Sequence, residues 1–406
     1  MNLVTVNVDS IRIGEPLPFS LRDEHGVLLA NKGYVVLSRD ELTLVVGRRS
    51  KLYIDIAESE SHHRAYVGRL HQLVRQGRTL GHIAGTQMSA ADLDSHHDAA
   101  DSGEPDWLAL QEQTQAVLRD SNPASFRDRL DKLQAQLNRL SRLNPDGTLF
   151  ALIHLAASDV QRYSASHAML VSVMCSLAAR EVLKWPAALE ATLCHAALTM
   201  NLGMTELQDR LALQKQEPNP EQRRQIDQHA TRSVELLEQL GVTDACWLEA
   251  VRDHHTKTPG PLAGRTPGQR MARLIQRADM FAARVARLPE SPAAGMHASY
   301  FDENRQIDEA GAALIKAVGI YSPGTFVRLT TNEIAVVIKR GANTTTPRVA
   351  ILVNRNGMPT GELIVRDTSR REFRIVTSVA HLDVKVKINL ERLLILTRSP
   401  SSDRLW

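Results

Sequence analysis

The sequence has only three cysteines, Cys175, Cys194 and Cys246, and they lie far apart with no CxxC spacing. That pattern argues against a disulfide framework or a thiolate zinc site and for a reduced, cytosolic setting. No charge of either sign dominates. The 406 residues carry a formal net charge of +3, so composition holds no electrostatic signature of a nucleic-acid or membrane partner. Long apolar runs are missing too. The most apolar stretch, 168–179, is too short to span a bilayer, and Met1-Asn2-Leu3-Val4-Thr5 lacks the basic start and long apolar core of a signal peptide. The expectation is a soluble cytoplasmic protein with no membrane span and no nucleic-acid partner.

What is present is a chain long enough for two or three domains. Residues 1–57 alternate apolar and polar positions, with turn signals at Asp23-Glu24-His25-Gly26 and Asn31-Lys32-Gly33, and read as a small β-rich module. Residues 58–105 shift to Ser, His, Asp, Gly and Ala and read as a short helix and a flexible connector. Its His62-His63 and His96-His97 pairs read as exposed loop histidines, since no ordered shell surrounds them. Helical periodicity starts at Trp107. Phe126, Leu130, Leu133, Leu137 and Leu140 stripe one amphipathic helix of a linker region, 106–148, ended by Asn144-Pro145-Asp146-Gly147. That helix could mediate a homodimer, although packing on its own bundle is the simpler reading.

Further helices are predicted over 149–158, 165–183, 186–200, 220–240, 243–255, 267–287 and 308–318, making a helical domain of 149–320. After Tyr321-Ser322-Pro323-Gly324, short β-rich runs at 326–329, 334–338, 349–353 and 363–365 form a C-terminal β extension, 321–397, with a tail at 398–406. The fold class is therefore α+β and multidomain: a central all-α bundle flanked in sequence by a small N-terminal β module and a C-terminal β extension.

Polar residues interrupt the apolar helix faces. His167 precedes Leu170, Val171, Met174 and Ala178 on one stripe; His229 shares a face with Ile226, Ser233 and Leu237; His254 and His255 continue the face of Trp247, Leu248 and Val251; Asp279 adjoins Ile275, Ala278 and Ala282. One such histidine alone is usually a core residue with a single hydrogen bond. A buried aspartate without a cation is costlier to explain, because an unpaired carboxylate resists desolvation. Four histidines and an aspartate arriving on four helices suit a zinc, iron or manganese site built inside a bundle.

The order of these segments resembles a known family. Tyr163-Ser164-Ala165-Ser166-His167, Gln225-Ile226-Asp227-Gln228-His229, Val251-Arg252-Asp253-His254-His255 and the closing helix from Met271 to Ala283 resemble the HD-GYP phosphodiesterases, a branch of the HD superfamily. Gly319-Ile320-Tyr321-Ser322-Pro323-Gly324 is similar to the segment that follows such domains, so the likeness covers roughly 150–355. It implies an HD-type helical bundle around two or three metal ions and hydrolysis of cyclic di-GMP. By that resemblance His167 and Asp279 serve one metal, and His229, His254 and His255 the other. Arg273 would then approach a phosphate or brace the site; Lys257 offers a second cation for a phosphate, although a solvated loop lysine is the simpler reading.

The family's defining His-Asp pair and the lysine after it are absent: Met200-Asn201 and Met204 stand in their places. The family aspartate bridges both metals. Asn201 is neutral, Met200 offers only a soft thioether, and Met204 removes a cation. A competing alignment makes His195-Ala196 the damaged pair, leaving Asn201-Leu202-Gly203-Met204 without a counterpart. The GYP motif is altered as well, since Thr256-Lys257-Thr258-Pro259-Gly260-Pro261 replaces the expected glutamate and longer loop.

The resemblance thus implies a degenerate HD-GYP-type protein in cyclic di-GMP-related bacterial signalling. Its part would be regulatory or scaffolding, with protein partners and with phosphodiesterase activity lost or impaired. One alternative is a metal-dependent phosphohydrolase with a reduced, mononuclear site on His229, His254 and His255, acting on cyclic di-GMP or another phosphoester. Another is an interaction module like the HDOD group. The cofactor reading is one divalent iron, manganese or zinc ion, or none.

Overall fold

The computed structural model describes residues 3–6, 11, 13, 17, 20–30, 34, 36, 38, 52–55, 105–287, 298–386 and 388–398. The predicted connector, the Asn31-Lys32-Gly33 turn and 399–406 of the predicted tail lie outside the described residues. The chain divides into two compact units, 1–104 and 105–406.

In the first unit, β1 (Leu3–Val6), β2 (Leu21–Arg22), β3 (Leu28–Ala30) and β4 (Leu52–Asp55) form an antiparallel sheet in the order β1-β4-β2-β3. The Asp23-Glu24-His25-Gly26 turn joins β2 to β3. Asp23 Oδ1 accepts from the backbone N–H groups of His25 and Val27, both at 2.9 Å. Val6, Leu21, Leu52 and Ile54 are among the residues of a small separate core.

The second unit begins with α1 (Trp107–Leu118), α2 (Pro123–Leu143), α3 (Pro145–Ser158) and α4 (Tyr163–Leu177). Asparagine and proline set two of these starts. Asn122 and Asn144 each cap a helix whose first residue is proline, a position that has no use for an N–H. The Phe126 to Leu140 stripe of α2 is buried in the unit's own core. Every residue of α4 is buried, so this helix is the bundle's centre, packed on α3. A π-turn at Ala178–Val182 follows it, where the sequence predicts unbroken helix.

Next come α5 (Ala187–Thr199), a 3-10 turn at Leu202–Met204, α6 (Thr205–Leu213), α7 (Pro220–Gln239), α8 (Ala245–Asp253), α9 (Pro267–Arg287) and α10 (Glu309–Val318). Asn219 and Gln222 form a reciprocal capping box at the start of α7.

Strands β5 (Phe326–Leu329), β6 (Ile334–Lys339), β7 (Arg348–Val353), β8 (Val365–Asp367) and β9 (Ile375–Val379) make an antiparallel sheet ordered β8-β7-β6-β5-β9. Alternate residues explain its continuous apolar runs. Phe326, Val336, Ile338, Ala350 and Leu352 join the helical core, whereas Val327, Ala335, Val337, Val349 and Ile351 form a second cluster on the opposite face. Gly324 allows the close approach to α3: a Cβ there would lie 3.0 Å from the Phe150 carbonyl oxygen, and its φ is +94°. Arg340 pins the sheet by pairing with Asp146 at 2.7 Å and Glu181 at 3.0 Å. The region does not end in strand, because α11 (Leu390–Arg398) closes it and packs on α3 and β6. Among the described residues no helix is long and apolar enough to cross a membrane.

Candidate metal centre

Helix α7 is polar on most faces. Its buried residues, His229, Ser233, Val234 and Leu237, follow helical spacing, so His229 heads a narrow inward stripe. Helix α8 ends at Asp253, and the Asp253 carbonyl accepts the Thr256 N–H at 2.8 Å, closing a turn that carries His254 and His255. These three histidines meet. His229 Nε2 lies 3.1 Å from His254 Nε2 and 3.2 Å from His255 Nε2.

Their tautomers follow from the partners behind them. His229 Nδ1–H donates to the Ile226 carbonyl at 2.5 Å, and His254 Nδ1–H to the Val251 carbonyl at 2.7 Å. Both Nε2 atoms therefore present bare lone pairs to each other. Such a contact is repulsive unless a proton or a cation lies between them. A proton is disfavoured: burial, with His255 and His229 alongside, pushes His254 down to about 3, and burial pushes His229 down as well. A metal suits the spacing. Bonds of about 2.0–2.1 Å to imidazole nitrogens at tetrahedral or octahedral angles put those nitrogens about 2.8–3.4 Å apart. Three neutral imidazoles suit zinc, iron or manganese, and the backbone carbonyls behind two of them are the support metal-binding histidines need. His255 is exposed, and among the described residues nothing holds its Nδ1.

His167 and Asp279 are brought to each other. His167 Nε2 is 2.7 Å from Asp279 Oδ1, and on the other side of the ring Nδ1 is 3.1 Å from the Tyr163 hydroxyl, one turn earlier on α4. Burial alone would raise the Asp279 carboxyl, but the hydrogen bond and charge of His167, with His254 and His255 nearby, hold it at about 2. Asp279 is therefore a carboxylate. His167 donates to it from Nε2, with the Tyr163 hydroxyl against the ring's other nitrogen. The Asp279 charge is also felt at His229 and His254, so the pair adjoins the triad.

The Met200 to Met204 turn presses onto α7 beside His229. Ser233 Oγ donates to the Met200 carbonyl at 2.8 Å and accepts the Gly203 N–H at 2.9 Å. A Cβ on Gly203 would lie 2.7 Å from the His229 carbonyl oxygen, so this turn needs glycine for contact rather than for φ. Met200 is part of the apolar core. Asn201 is 9% exposed, and its buried Oδ1 has no hydrogen-bond partner. His195 lies elsewhere, with its ring stacked on Trp247 at 5.0 Å and 20°. Its Nε2 is 2.9 Å from Asp131 Oδ1 but not aligned to hydrogen-bond it.

The Arg273 guanidinium is turned to acids. Its Nε donates to Asp308 Oδ2 at 2.7 Å, and its two terminal nitrogens to Glu303 at 3.0 and 2.8 Å. Arg277, one turn on, reaches the same two carboxylates. The hydrogen bond from Arg273 holds Glu303 at about 2. Lys257 stands exposed on the loop after His255, and Arg265 braces that loop by donating to the Thr258, Gly260 and Pro261 carbonyls. Sequence reasoning assigns no role to Tyr163, Ser233, Arg277, Glu303 or Asp308, although Tyr163 and Arg277 lie within the segments that carry the resemblance and Ser233 follows one of them. Arg277 left a local signal as a second arginine four residues after Arg273, and Ser233 as a polar residue on the apolar face of His229.

No protein-family model matches the sequence, and no curated protein matches it. Among solved structures the chain is similar to Bd1817, a HDG"Y"P protein from Bdellovibrio bacteriovorus, at 15% identity and a TM-score of 0.42, over 77% of this chain and 98% of that one.

Proposed function

We propose that this chain is a degenerate HD-GYP-type protein whose role in cyclic di-GMP-related signalling is regulatory or scaffolding, with phosphodiesterase activity lost or impaired. The observation that carries this reading is Asn201: a buried, neutral carboxamide with an unpartnered oxygen stands where the resemblance puts a bridging carboxylate. One neutral carbonyl oxygen is a poor bridge between two divalent ions. The pairing of His167 with Asp279 supports the same reading, since Asp279 Oδ1 takes up the His167 Nε2 that would otherwise face a metal. Incubating the purified protein with cyclic di-GMP and manganese or ferrous iron tests it. The expected result is no linear dinucleotide or GMP above the no-protein control, and metal-dependent turnover would sink the reading.

The three facing imidazoles favour a second reading, a phosphohydrolase with one metal. His229, His254 and His255 would hold that ion. A bound divalent ion supplies Lewis acidity toward a phosphoryl oxygen. The chain's own contribution is to keep two imidazoles neutral and oriented through the Ile226 and Val251 carbonyls, while Asp279 stands ready beside them as a carboxylate. Turnover of a generic phosphodiester by the native protein, abolished in His254→Ala, is the result this reading requires.

A further inference from the structure

We infer that Gln276 is a positioning residue for His255, and that the hairpin bearing Glu303 sets it. This rests on the reading that His229, His254 and His255 hold a metal.

His255 is the weakly held member of the triad. His229 and His254 are each fixed by an Nδ1–H bond to a backbone carbonyl within their own turn, but His255 has no such bond. Its orientation is therefore inherited from the backbone on either side of it. One side is the turn closed by Asp253 and Thr256. The other is the Thr256 carbonyl, which accepts from Gln276 Nε2 at 3.3 Å. The orientation of the Gln276 amide is not free, because its Oε1 accepts from Arg273 at 2.7 Å and so leaves the NH₂ group facing Thr256. An amide held at its oxygen by a cation can only donate at its other end.

The cation is fixed in turn. Arg273 is 2% exposed and is gripped by Asp308, at the start of α10, and by Glu303. Glu303 lies in a hairpin that the Phe301 to Ile307 bridge closes, with Asp302 N–H donating to the Gln306 carbonyl at 2.8 Å and Arg305 at φ +60°. A continuous line of polar contacts thus runs from Glu303 through Arg273 and Gln276 to the backbone next to His255. Partners behind metal-binding histidines set ring orientation and commonly change metal affinity by about 10–100-fold. Through Gln276 the hairpin bears on the one imidazole that lacks its own brace.

Cobalt(II), a spectroscopic stand-in for zinc, tests the inference on the full-length protein. Gln276→Ala should weaken cobalt binding by about ten-fold and alter the visible d–d bands, with far-UV circular dichroism unchanged. Gln276→Glu separates positioning from mere structure. It keeps the bond to Arg273 but sets a carboxylate against the Thr256 carbonyl, so it should behave like Gln276→Ala. Wild-type affinity in Gln276→Glu, or in Gln276→Ala, would overturn the inference. Glu303→Ala should move affinity and spectrum in the same direction. If the unsubstituted protein binds no cobalt, the metal reading fails by itself. The inference is then decided on metal-free protein by the imidazole ¹⁵N signals: Gln276→Ala must shift His255 and spare His229, and an unmoved His255 rejects it.

Discussion

Removing His254 should abolish most of the stabilisation a divalent metal gives this protein. His254 is fully buried, and its Nε2 is 3.1 Å from that of His229, so in the proposed site it would supply one of three ligands. A ligand that binds only the folded state at about one hundred times its dissociation constant adds about 2.7 kcal/mol. For a unit the size of 105–406, with each kcal/mol worth roughly 2 °C, the midpoint should rise by roughly 5 °C. Losing a ligand costs at least what losing a group behind a ligand costs, about 100-fold at the upper end. At the same metal concentration the gain then falls to about 0.4 kcal/mol, under about 1 °C. Differential scanning calorimetry of protein stripped of metal and titrated with zinc, manganese or cobalt reads this directly. His195→Gln is the control, since that ring stacks on Trp247 and faces Asp131. Equal metal-induced shifts in wild type and His254→Ala would falsify the triad as the site. So would the absence of any shift in wild type.

Three further outcomes follow from the same geometry. Asn201→Asp puts a carboxylate where the amide oxygen has no partner, so it should cost the metal-free protein about 3 kcal/mol or more in urea unfolding; added metal should restore that stability and raise the bound stoichiometry measured by mass spectrometry. Gly203→Ala, whose Cβ would sit 2.7 Å from the His229 carbonyl oxygen and 2.8 Å from Arg232 Cβ, should cost about 1–3 kcal/mol in the same assay and weaken metal binding with it. His195 titrates at about 4 against an ordinary 6.5, pushed down mainly by burial and then by Arg127. The native state then binds fewer protons than the unfolded chain between those values, so stability is lost as pH falls from 6.5 toward 4, by at most roughly 3 kcal/mol; His195→Gln should flatten that slope in pH-dependent denaturation.

The helical core and the two sheets were legible in the sequence because their signals are local. The Phe126 to Leu140 stripe, the Asn-Pro helix starts and the alternation along 334–353 each depend on near neighbours, and the described helices fall within a few residues of the predicted spans. What local pattern misses is α6, whose nine residues are short and mixed, and α11 and β9, which gain stability from long-range packing on α3, β6 and β5. The sites divide the same way. Polar residues on apolar helix faces point to His167, His229, His254 and Asp279, since only a partner or an ion makes such positions tolerable. Which partner each one takes is set by distant segments. Arg273 reads locally as a group for a phosphate, yet its side chain is occupied by residues 30 and 35 positions on, a pairing no local window contains.

The electrostatics of the buried polar groups bear on how many metals to expect. A buried carboxylate needs a cation or donors, and Asp279 has them in His167, whose other nitrogen is satisfied by Tyr163. An ion at this pair would have to open the His167–Asp279 hydrogen bond or settle for the remaining carboxylate oxygen. The triad is the reverse case. Two of its imidazoles are locked with lone pairs facing and both resist protonation, and His255 Nε2 stands 3.2 Å from His229 Nε2 beside them. In a site with a bridging carboxylate the two halves would share one anion and so bind metals together. With neutral Asn201 where the resemblance puts that carboxylate, such coupling is not expected, and each half is judged by its own chemistry. Asp279 accepts from His167, and the triad brings three imidazole nitrogens within 4.8 Å of one another. We therefore propose one metal per chain, at the triad.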